Sequence, residues 1–206
     1  MEKRKVSDLV IARLPVYLRC LGRMSIEGRQ ITSSQELGEK LEISPAQIRK
    51  DLSQFGEFGK QGTGYNIDFL INNIQTILNI NKVWDVALIG IGDIGHALAN
   101  YKGFNDRGFK IAMLFDNNPD KIGKQISKFM IKNVADLKKE ISASKIKIAM
   151  LSVPSHVAQG LADELVEAGV KAILNYAPTI LNVPQDVHVQ YIDPTIHLQI
   201  MTYYME

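Results

Sequence analysis

Three glycines, Gly90, Gly92 and Gly95, follow an apolar segment (residues 84–89) and precede a stretch with helical spacing. The first permits a tight turn, the second lets the backbone approach a ligand, and the third lets a helix pack close to a strand. Free amides at the start of such a helix attract phosphate. Asp116 closes the next apolar segment, where a carboxylate can accept hydrogen bonds from ribose hydroxyls. The spacing predicts a dinucleotide site contacted by Gly90, Ile91, Gly92, Asp93, Ile94 and Gly95.

The residues around Asp116 also indicate which dinucleotide would bind. A carboxylate repels a 2′-phosphate, and neither Asn117 nor Asn118 is an arginine that could receive one. The sequence therefore favours NAD(H) over NADP(H), with Asp116 and Asn117 at the ribose. The alternative is that Asp116 merely caps the loop Asp-Asn-Asn-Pro, whose composition is typical of a turn.

The fold class of the C-terminal part follows from its alternation of apolar strands and helices, which predicts an α/β Rossmann-type domain with a parallel sheet. We expect strands at residues 84–89, 109–115, 146–152, 171–175 and 187–192, and helices at 94–102, 134–141 and 156–168. Ligands of such sheets bind at the carboxyl ends of strands, where the strand order reverses. That rule adds Val153, Pro154, Asn175 and Tyr176 to the crevice, with a nicotinamide near them.

The N-terminal part has short helical segments instead. Residues 7–27 indicate a helix that is either kinked at Pro15 or begins there. Ser33 and Ser44 are placed as N-caps of two further helices, and Pro45 suits a first helical position. Two capped helices separated by a short turn predict a helix-turn-helix.

The helix expected at residues 45–54 has small and polar residues at its start and cations one turn later. This pattern matches a recognition helix in the DNA major groove, although an ordinary solvated helix fits it equally well. The segment from Phe55 to Tyr65 is dense in glycine and aromatic residues, which predicts a β-hairpin, or wing, close to phosphate. Together they favour a winged helix-turn-helix with these DNA contacts: Ser44, Ala46, Gln47, Arg49, Lys50, Ser53, Gly59, Lys60 and Tyr65.

Composition narrows the class of protein. A net charge of +2 does not by itself indicate a nucleic-acid partner, so a basic face must come from local arrangement. The charged N-terminus lacks the apolar run of a signal peptide, and no segment approaches the length of a membrane span, so we expect a cytoplasmic protein. Cys20 is the single cysteine, which excludes an internal disulfide, and the histidines lack metal-ligand spacing.

Catalysis is not expected. His156 follows Pro154 and could donate a proton to a substrate, but such a histidine is more often an exposed residue at a helix start. The first 80 residues carry the DNA-binding pattern and leave no room for a substrate domain. The alternatives are a small NAD-dependent oxidoreductase and a CoA-type nucleotide binder, as in some ligase subunits. Asp116 argues against the second.

The chain resembles the Rex family of bacterial redox-sensing transcriptional repressors. The segments that carry the resemblance are Gln47-Ile-Arg-Lys-Asp-Leu-Ser53, Phe55-Gly-Glu-Phe-Gly-Lys60, Gly62-Thr-Gly-Tyr65, Arg13-Leu-Pro15, Phe115-Asp116 and Leu174-Asn-Tyr-Ala-Pro178.

This resemblance implies a homodimer with a DNA-binding domain at residues 1–80, an NAD(H)-binding domain at 81–192 and a last helix, 193–206, that crosses into the partner. NAD+ would permit binding to palindromic operator DNA, and NADH would disfavour it. Arg49 and Lys50 would read or clamp the DNA, with Lys60 in the minor groove or on phosphate.

The resemblance also implies a coupling set of three residues: Arg19, Tyr101 and Asp193 would link the DNA-binding domain, the nicotinamide crevice and the last helix. The residues alone leave open whether that apolar helix packs on its own domain or on a partner.

Three positions depart from the family's usual pattern. Gln54 stands where an aromatic residue is usual, and Gln61 stands where arginine is usual. Loss of that wing cation is expected to lower nonspecific DNA affinity. Pro194 follows Asp193 and is expected to alter how the last helix starts, which puts in doubt any aromatic contact with the nicotinamide there.

Overall fold

The computed structural model describes residues 6–60 and 63–205, and for Lys60 the description covers the backbone alone. The chain divides into two compact units between Lys82 and Val83. The first unit is a winged helix-turn-helix, and the second is a Rossmann-type domain with a parallel sheet, as the sequence predicts.

The first unit contains α1 (Asp8–Ile26), β1 (Ile31–Thr32), α2 (Ser34–Leu41), α3 (Pro45–Ser53), β2 (Gly59–Lys60), β3 (Gly64–Asn66) and α4 (Ile67–Ile77). Strand β3 pairs antiparallel with β1 and with β2, and the β2–β3 hairpin is the predicted wing. The helices bury a common apolar core that includes Leu14, Leu37, Ile48 and Leu70, and Cys20 lies within it.

The predicted helix starts of this unit are confirmed. The hydroxyl of Ser33 accepts a hydrogen bond from the Glu36 amide, and that of Ser44 accepts one from the Gln47 amide. Helix α1 does not begin at Pro15, which lies in its interior. The turn between α2 and α3 is tight, because a Cβ on Gly38 would come within 2.5 Å of the Ile43 carbonyl oxygen.

The second unit contains β4 (Trp84–Ile89), α5 (Asp93–Asn100), β5 (Phe109–Asp116), β6 (Gln125–Ile126), β7 (Phe129–Asn133), α6 (Leu137–Ser144), β8 (Ile148–Leu151), α7 (Ser155–Glu167), β9 (Ala172–Asn175), β10 (His188–Tyr191) and α8 (Pro194–Thr202). Short 3₁₀ helices lie at Lys102–Arg107 and Val134–Asp136.

Across residues 83–205, the strands form one sheet in the order β10-β9-β8-β4-β5-β7-β6. Neighbouring strands are parallel except for the antiparallel pair β6 and β7. The chain leaves β4 toward β5 and later returns on its other side at β8, so the strand order reverses between β4 and β8. Ala87 and Ile89 pack into one core and Val86 and Leu88 into another, which buries both faces of the central strand.

Candidate functional site

A cavity of about 430 Å³ opens where the strand order reverses, at the carboxyl ends of β4, β5 and β8. Of the residues predicted for the crevice, it is lined by Gly90, Gly92, Asp116, Asn117, Val153 and Pro154. Lys121, Ser152 and His156 line it as well. The location and size are those of a small-molecule site in a sheet of this kind.

The three glycines of the loop differ in why they must be glycine. Gly90 has a positive φ of 88°, and a Cβ there would lie 2.5 Å from the Ser152 carbonyl oxygen. A Cβ on Gly95 would overlap the Gly90 carbonyl oxygen. Gly92 has an ordinary backbone conformation, and within the described residues a Cβ on it would meet no atom within 4 Å. The fold thus explains two of the glycines, whereas the open space at Gly92 is available to a ligand.

Asp116 caps the loop that follows it, which is one of the two alternatives predicted for its position, and its contact with a ribose stays a prediction. Its Oδ1 accepts a hydrogen bond of 2.8 Å from the Asn118 amide, which caps the loop. Its Oδ2 accepts one of 2.7 Å from the Ile91 amide in the glycine loop. The side chain is 6% exposed and still lines the cavity. The carboxylate therefore stands between the two loops with lone pairs left for ribose hydroxyls.

Lys121 is a cation at this site that the sequence did not reveal. Its Nζ donates a hydrogen bond of 2.8 Å to the Ile91 carbonyl oxygen and lies 3.6 Å from Oδ2 of Asp116. The lysine reaches the site because its amide donates to the Asn118 carbonyl oxygen, so that the chain turns back. The residues that follow Asp116 in the sequence include no arginine, but the folded chain brings the cation of Lys121 close to it.

Ser152 and His156 lie on the other wall. The Ser152 hydroxyl is 2.7 Å from the Gly90 carbonyl oxygen and donates to it, which ties the glycine loop to the end of β8. His156 is exposed in the first turn of α7 and faces the cavity. The position of His156 is the solvent-exposed helix start that the sequence favours.

Other residues predicted for the crevice do not line this cavity. The amide group of Asn175 donates to the Ala177 and Thr179 carbonyl oxygens, and its oxygen accepts from the Ala177 amide. Asn175 therefore shapes its own loop. Tyr101 is 48% exposed, and its hydroxyl accepts a hydrogen bond from Arg107. Burial raises the pKa of Tyr176.

The remaining predicted crevice residues belong to the glycine loop and the first turn of α5. Ile91 is buried, whereas Asp93 and Ile94 are exposed. They hold or flank the loop backbone, and their contacts with a dinucleotide stay a prediction.

Helix α3 presents an exposed polar face. Its exposed members are Ser44 at the N-cap, Ala46, Arg49, Lys50 and Ser53. Gln47 is half-buried. This is the arrangement expected of a helix that reads a groove, with the apolar residues turned into the core.

Asp51, on the opposite face of α3, is fully buried and fully paired. Its carboxylate accepts hydrogen bonds from Arg13 at 2.6 and 2.8 Å, from the Tyr17 hydroxyl at 2.6 Å, and from the side-chain Nε2 of Gln47 at 2.6 Å. Burial alone would raise the pKa of Asp51, but these hydrogen bonds hold it below the ordinary value. Burial and the bond to Asp51 raise the pKa of Tyr17. Sequence patterns missed this cluster because its members are far apart along the chain.

The wing residues lie as predicted in the hairpin. Gly59 and Lys60 are in β2, Tyr65 is half-buried in β3, and Gln54 is exposed at the end of α3. Gln61 lies outside the described residues, so the effect expected of it stays a prediction.

The coupling residues are polar groups on separate elements; Arg19 and Tyr101 are exposed, and Asp193 is partly buried. Arg19 lies on α1. Asp193 is the N-cap of α8 and accepts a hydrogen bond of 2.9 Å from the Thr195 amide. Pro194 occupies the first helical position, which suits proline, so the helix starts regularly despite this departure. The bonds from Thr195 lower the pKa of Asp193.

Helix α8 has no buried residue within the described part of the chain. Its apolar side chains Ile196, Leu198, Ile200 and Met201 are between 52% and 60% exposed. In the single chain, α8 therefore does not bury its apolar side chains against its own domain, as one of the two alternatives predicted.

Family comparisons agree with this architecture. A family described as "Putative DNA-binding protein N-terminus" matches residues 5–53, and one described as "CoA binding domain" matches residues 81–179. A redox-sensing transcriptional repressor Rex of Chloroflexus aggregans is 50% identical over 198 residues, which cover 96% of this chain and 93% of that protein. The Rex of Brevibacillus brevis is 43% identical over 204 residues and 99% of each chain. The chain belongs to the Rex family. Its members are named as repressors, which are regulators rather than enzymes.

Solved Rex-family structures match the whole architecture. RSP in complex with beta-NAD+ and operator DNA has a TM-score of 0.93 and 40% identity, covering 98% of this chain and 93% of that one. RSP in complex with beta-NADH has a TM-score of 0.90 and 38% identity, covering 97% and 94%.

The part of the chain that the structure describes has neither a candidate metal site nor a membrane-spanning helix. Residues 6–60 and 63–205 contain no group of three or more histidine, cysteine and acidic side chains that could hold a metal ion. Their helices include none long and apolar enough to cross a membrane.

Proposed function

We propose that this protein is a transcriptional repressor that senses the NADH/NAD+ ratio. It binds palindromic operator DNA when NADH is low and releases it when NADH binds. The observation that carries the proposal is the full-length similarity to a repressor solved once with NAD+ and operator DNA and once with NADH.

The crevice residues support NAD(H) as the sensed ligand. The open space at Gly92 leaves room for a pyrophosphate at the start of α5, where free amides and the helix dipole favour negative charge. The carboxylate of Asp116 lines the same cavity and can accept hydrogen bonds from ribose hydroxyls. In this role the nicotinamide is a ligand whose ring charge and shape differ between its two redox states, and no chemistry on it is required.

The exposed apolar face of α8 supports a homodimer. An exposed apolar helix is stabilised when a partner covers it, and most soluble oligomers are twofold dimers of one chain. We propose that α8 crosses into the partner and that Arg19, Tyr101 and Asp193 transmit the state of the crevice. The separation of two reading helices then decides whether they fit two operator half-sites. A repressor of this kind acts on chromosomal DNA, which assigns it to the cytoplasm.

The proposal is tested by linkage. If NADH lowers operator affinity by some factor, operator DNA must lower NADH affinity by the same factor. NADH is titrated into the protein alone, with a palindromic duplex selected for binding in the presence of NAD+, and with a scrambled duplex of equal length. NADH affinity that stays unchanged at saturating operator contradicts the proposal.

Two other functions can be tested with the same protein. The match to a CoA-binding domain family makes CoA a competitor worth testing, and displacement of NADH by micromolar CoA would favour it. A small NAD-dependent oxidoreductase would use His156 as its acid, since that histidine faces the cavity. Turnover of a hydroxy or oxo substrate, lost in His156→Gln, would favour an enzyme; we expect neither result.

A further inference from the structure

The ammonium of Lys121 lies beside the carboxylate that is proposed to receive the ribose. Its Nζ is hydrogen-bonded to the Ile91 carbonyl oxygen at 2.8 Å and is 3.6 Å from Oδ2 of Asp116. We infer that Lys121 is a specificity residue of the dinucleotide site: its ammonium can donate hydrogen bonds to a ribose 2′-phosphate, and the charge of Asp116 keeps that phosphate out. This inference rests on the proposed dinucleotide-binding function.

The ammonium of Lys121 has N–H donors that its contacts within the protein do not use. An ammonium has three N–H groups, and the Ile91 carbonyl oxygen takes one of them. The 3.6 Å separation from Asp116 is that of an ion pair, beyond the length of a hydrogen bond. The lysine side chain is 38% exposed and lines the cavity, so its remaining donors are within reach of a ligand.

The position of Lys121 is fixed by the backbone around it. The Lys121 and Ile122 amides both donate to the Asn118 carbonyl oxygen, and the Asp120 amide donates to the Asn118 side chain. The turn that Asp116 caps is thus the same turn that brings Lys121 to the cavity. Because these bonds do not involve the Lys121 side chain, changing that side chain leaves the turn in place.

The balance of charge explains why the site still rejects a 2′-phosphate. Asp116 is 6% exposed, and a buried charge is screened by solvent less than a partly exposed one such as Lys121. A phosphate monoester, with about −1.5 to −2 charges at neutral pH, meets this carboxylate at the ribose. Replacing the acid with asparagine removes the repulsion and leaves an uncompensated cation. Affinity for NADPH should therefore rise without any added arginine.

The test measures dissociation constants for NADH and NADPH by fluorescence titration in a set of full-length variants. Asp116→Asn should bind NADPH at least about tenfold more tightly than the wild type, the gain expected from one charge-assisted hydrogen bond. Asp116→Asn with Lys121→Met should lose that gain. Asp116→Asn with Lys121→Arg should keep it. Lys124 supplies the matched control, because it is an exposed lysine outside the cavity lining. Asp116→Asn with Lys124→Met should also keep the gain.

The results separate this inference from the function on which it rests. A wild type that binds NADH, with equal NADPH affinity in Asp116→Asn and its Lys121→Met derivative, overturns the role of Lys121 and leaves the sensing function standing. A wild type that binds no NADH overturns both. Thermal unfolding of each variant identifies a folding defect, and Asp116→Ser replaces the asparagine variant if that one is unstable.

Discussion

Arg13 and Asp51 form a two-pronged ion pair, with Nε of the arginine 2.6 Å from Oδ2 and Nη2 2.8 Å from Oδ1 of the carboxylate. Arg13 belongs to α1 and Asp51 to α3, so the pair ties these two helices of the first unit together. It also commits the guanidinium to protein rather than to phosphate. We regard the pair as a positioning device for the face that carries Lys50.

Asp51→Asn should therefore destabilise the first unit. The variant leaves Arg13 and Tyr17 without their charged acceptor, which costs about 2–3 kcal/mol for hydrogen bonds to a buried charge. Denaturant unfolding measures this loss. Asp68→Asn, on the exposed face of α4, is the matched control and should stay close to the wild type. Equal midpoints for Asp51→Asn and the wild type would refute the structural role.

The same carboxylate makes stability depend on acid. The folded pKa of Asp51 is lowered, so its contribution is fully present above the unfolded pKa of about 3.9 and is lost as pH falls through the folded value. The free energy of unfolding should fall more steeply below about pH 4 in the wild type than in Asp51→Asn. The difference between the two curves isolates this group from the other acids. Parallel curves in that range would contradict the assignment.

Gly92→Ala and Gly95→Ala should behave differently. A methyl group at Gly92 meets open space, so the variant should fold normally and lose at least about tenfold in NADH affinity through a clash with the pyrophosphate. A methyl group at Gly95 overlaps the Gly90 carbonyl oxygen, so that variant should melt at a lower temperature. Calorimetry and NADH titration measure the two effects. Normal NADH binding by Gly92→Ala would mean that the ligand does not approach this glycine.

Lys50→Ala should weaken operator binding and leave NADH binding intact, because Lys50 is exposed on α3 in the first unit. If the lysine contacts phosphate, the slope of log K against log salt should fall by about one. Lys139→Ala, an exposed lysine on α6, removes the same charge and serves as control. A parallel loss of NADH binding would point to misfolding instead.

Ile200→Asp should shift the protein from dimer to monomer in sedimentation equilibrium. If the partner covers this exposed face of α8, an aspartate there would lose its water without gaining an opposite charge, which is strongly unfavourable. Ile180 is also exposed but lies outside α8, so Ile180→Asp should remain dimeric. A dimer that tolerates Ile200→Asp would exclude α8 from the interface.

The glycine loop, Asp116 and the N-caps were predictable because their signals are local. Residue type and spacing over a few positions define Gly90, Gly95 and the start of α3. The strand order reversal followed from the alternation of strands and helices. The hairpin β6–β7 was missed because β6 spans two residues at the edge of the sheet, too few for an alternating pattern.

Contacts that depend on loop geometry or on helix packing could not be predicted from sequence patterns. Lys121 reaches Asp116 through a turn whose geometry no pattern gives. Asn175 was correctly expected at a strand end, but its amide bonds to its own loop, because position at the sheet edge does not determine where a side chain points. The Arg13–Asp51 pair links residues 38 positions apart and required the packed helices.

Cys20, the single cysteine of the chain, is buried among the apolar side chains of α1, and burial raises the pKa of its thiol. Thiolate is the form that attacks peroxide and disulfides, so burial slows the reaction of this sulfur with either. A burst of oxidant would thus reach this regulator mainly through metabolism, by changing the coenzyme pool, and not through its cysteine. That part of its response would reverse as soon as the pool recovers, with no thiol reductase needed to reset it.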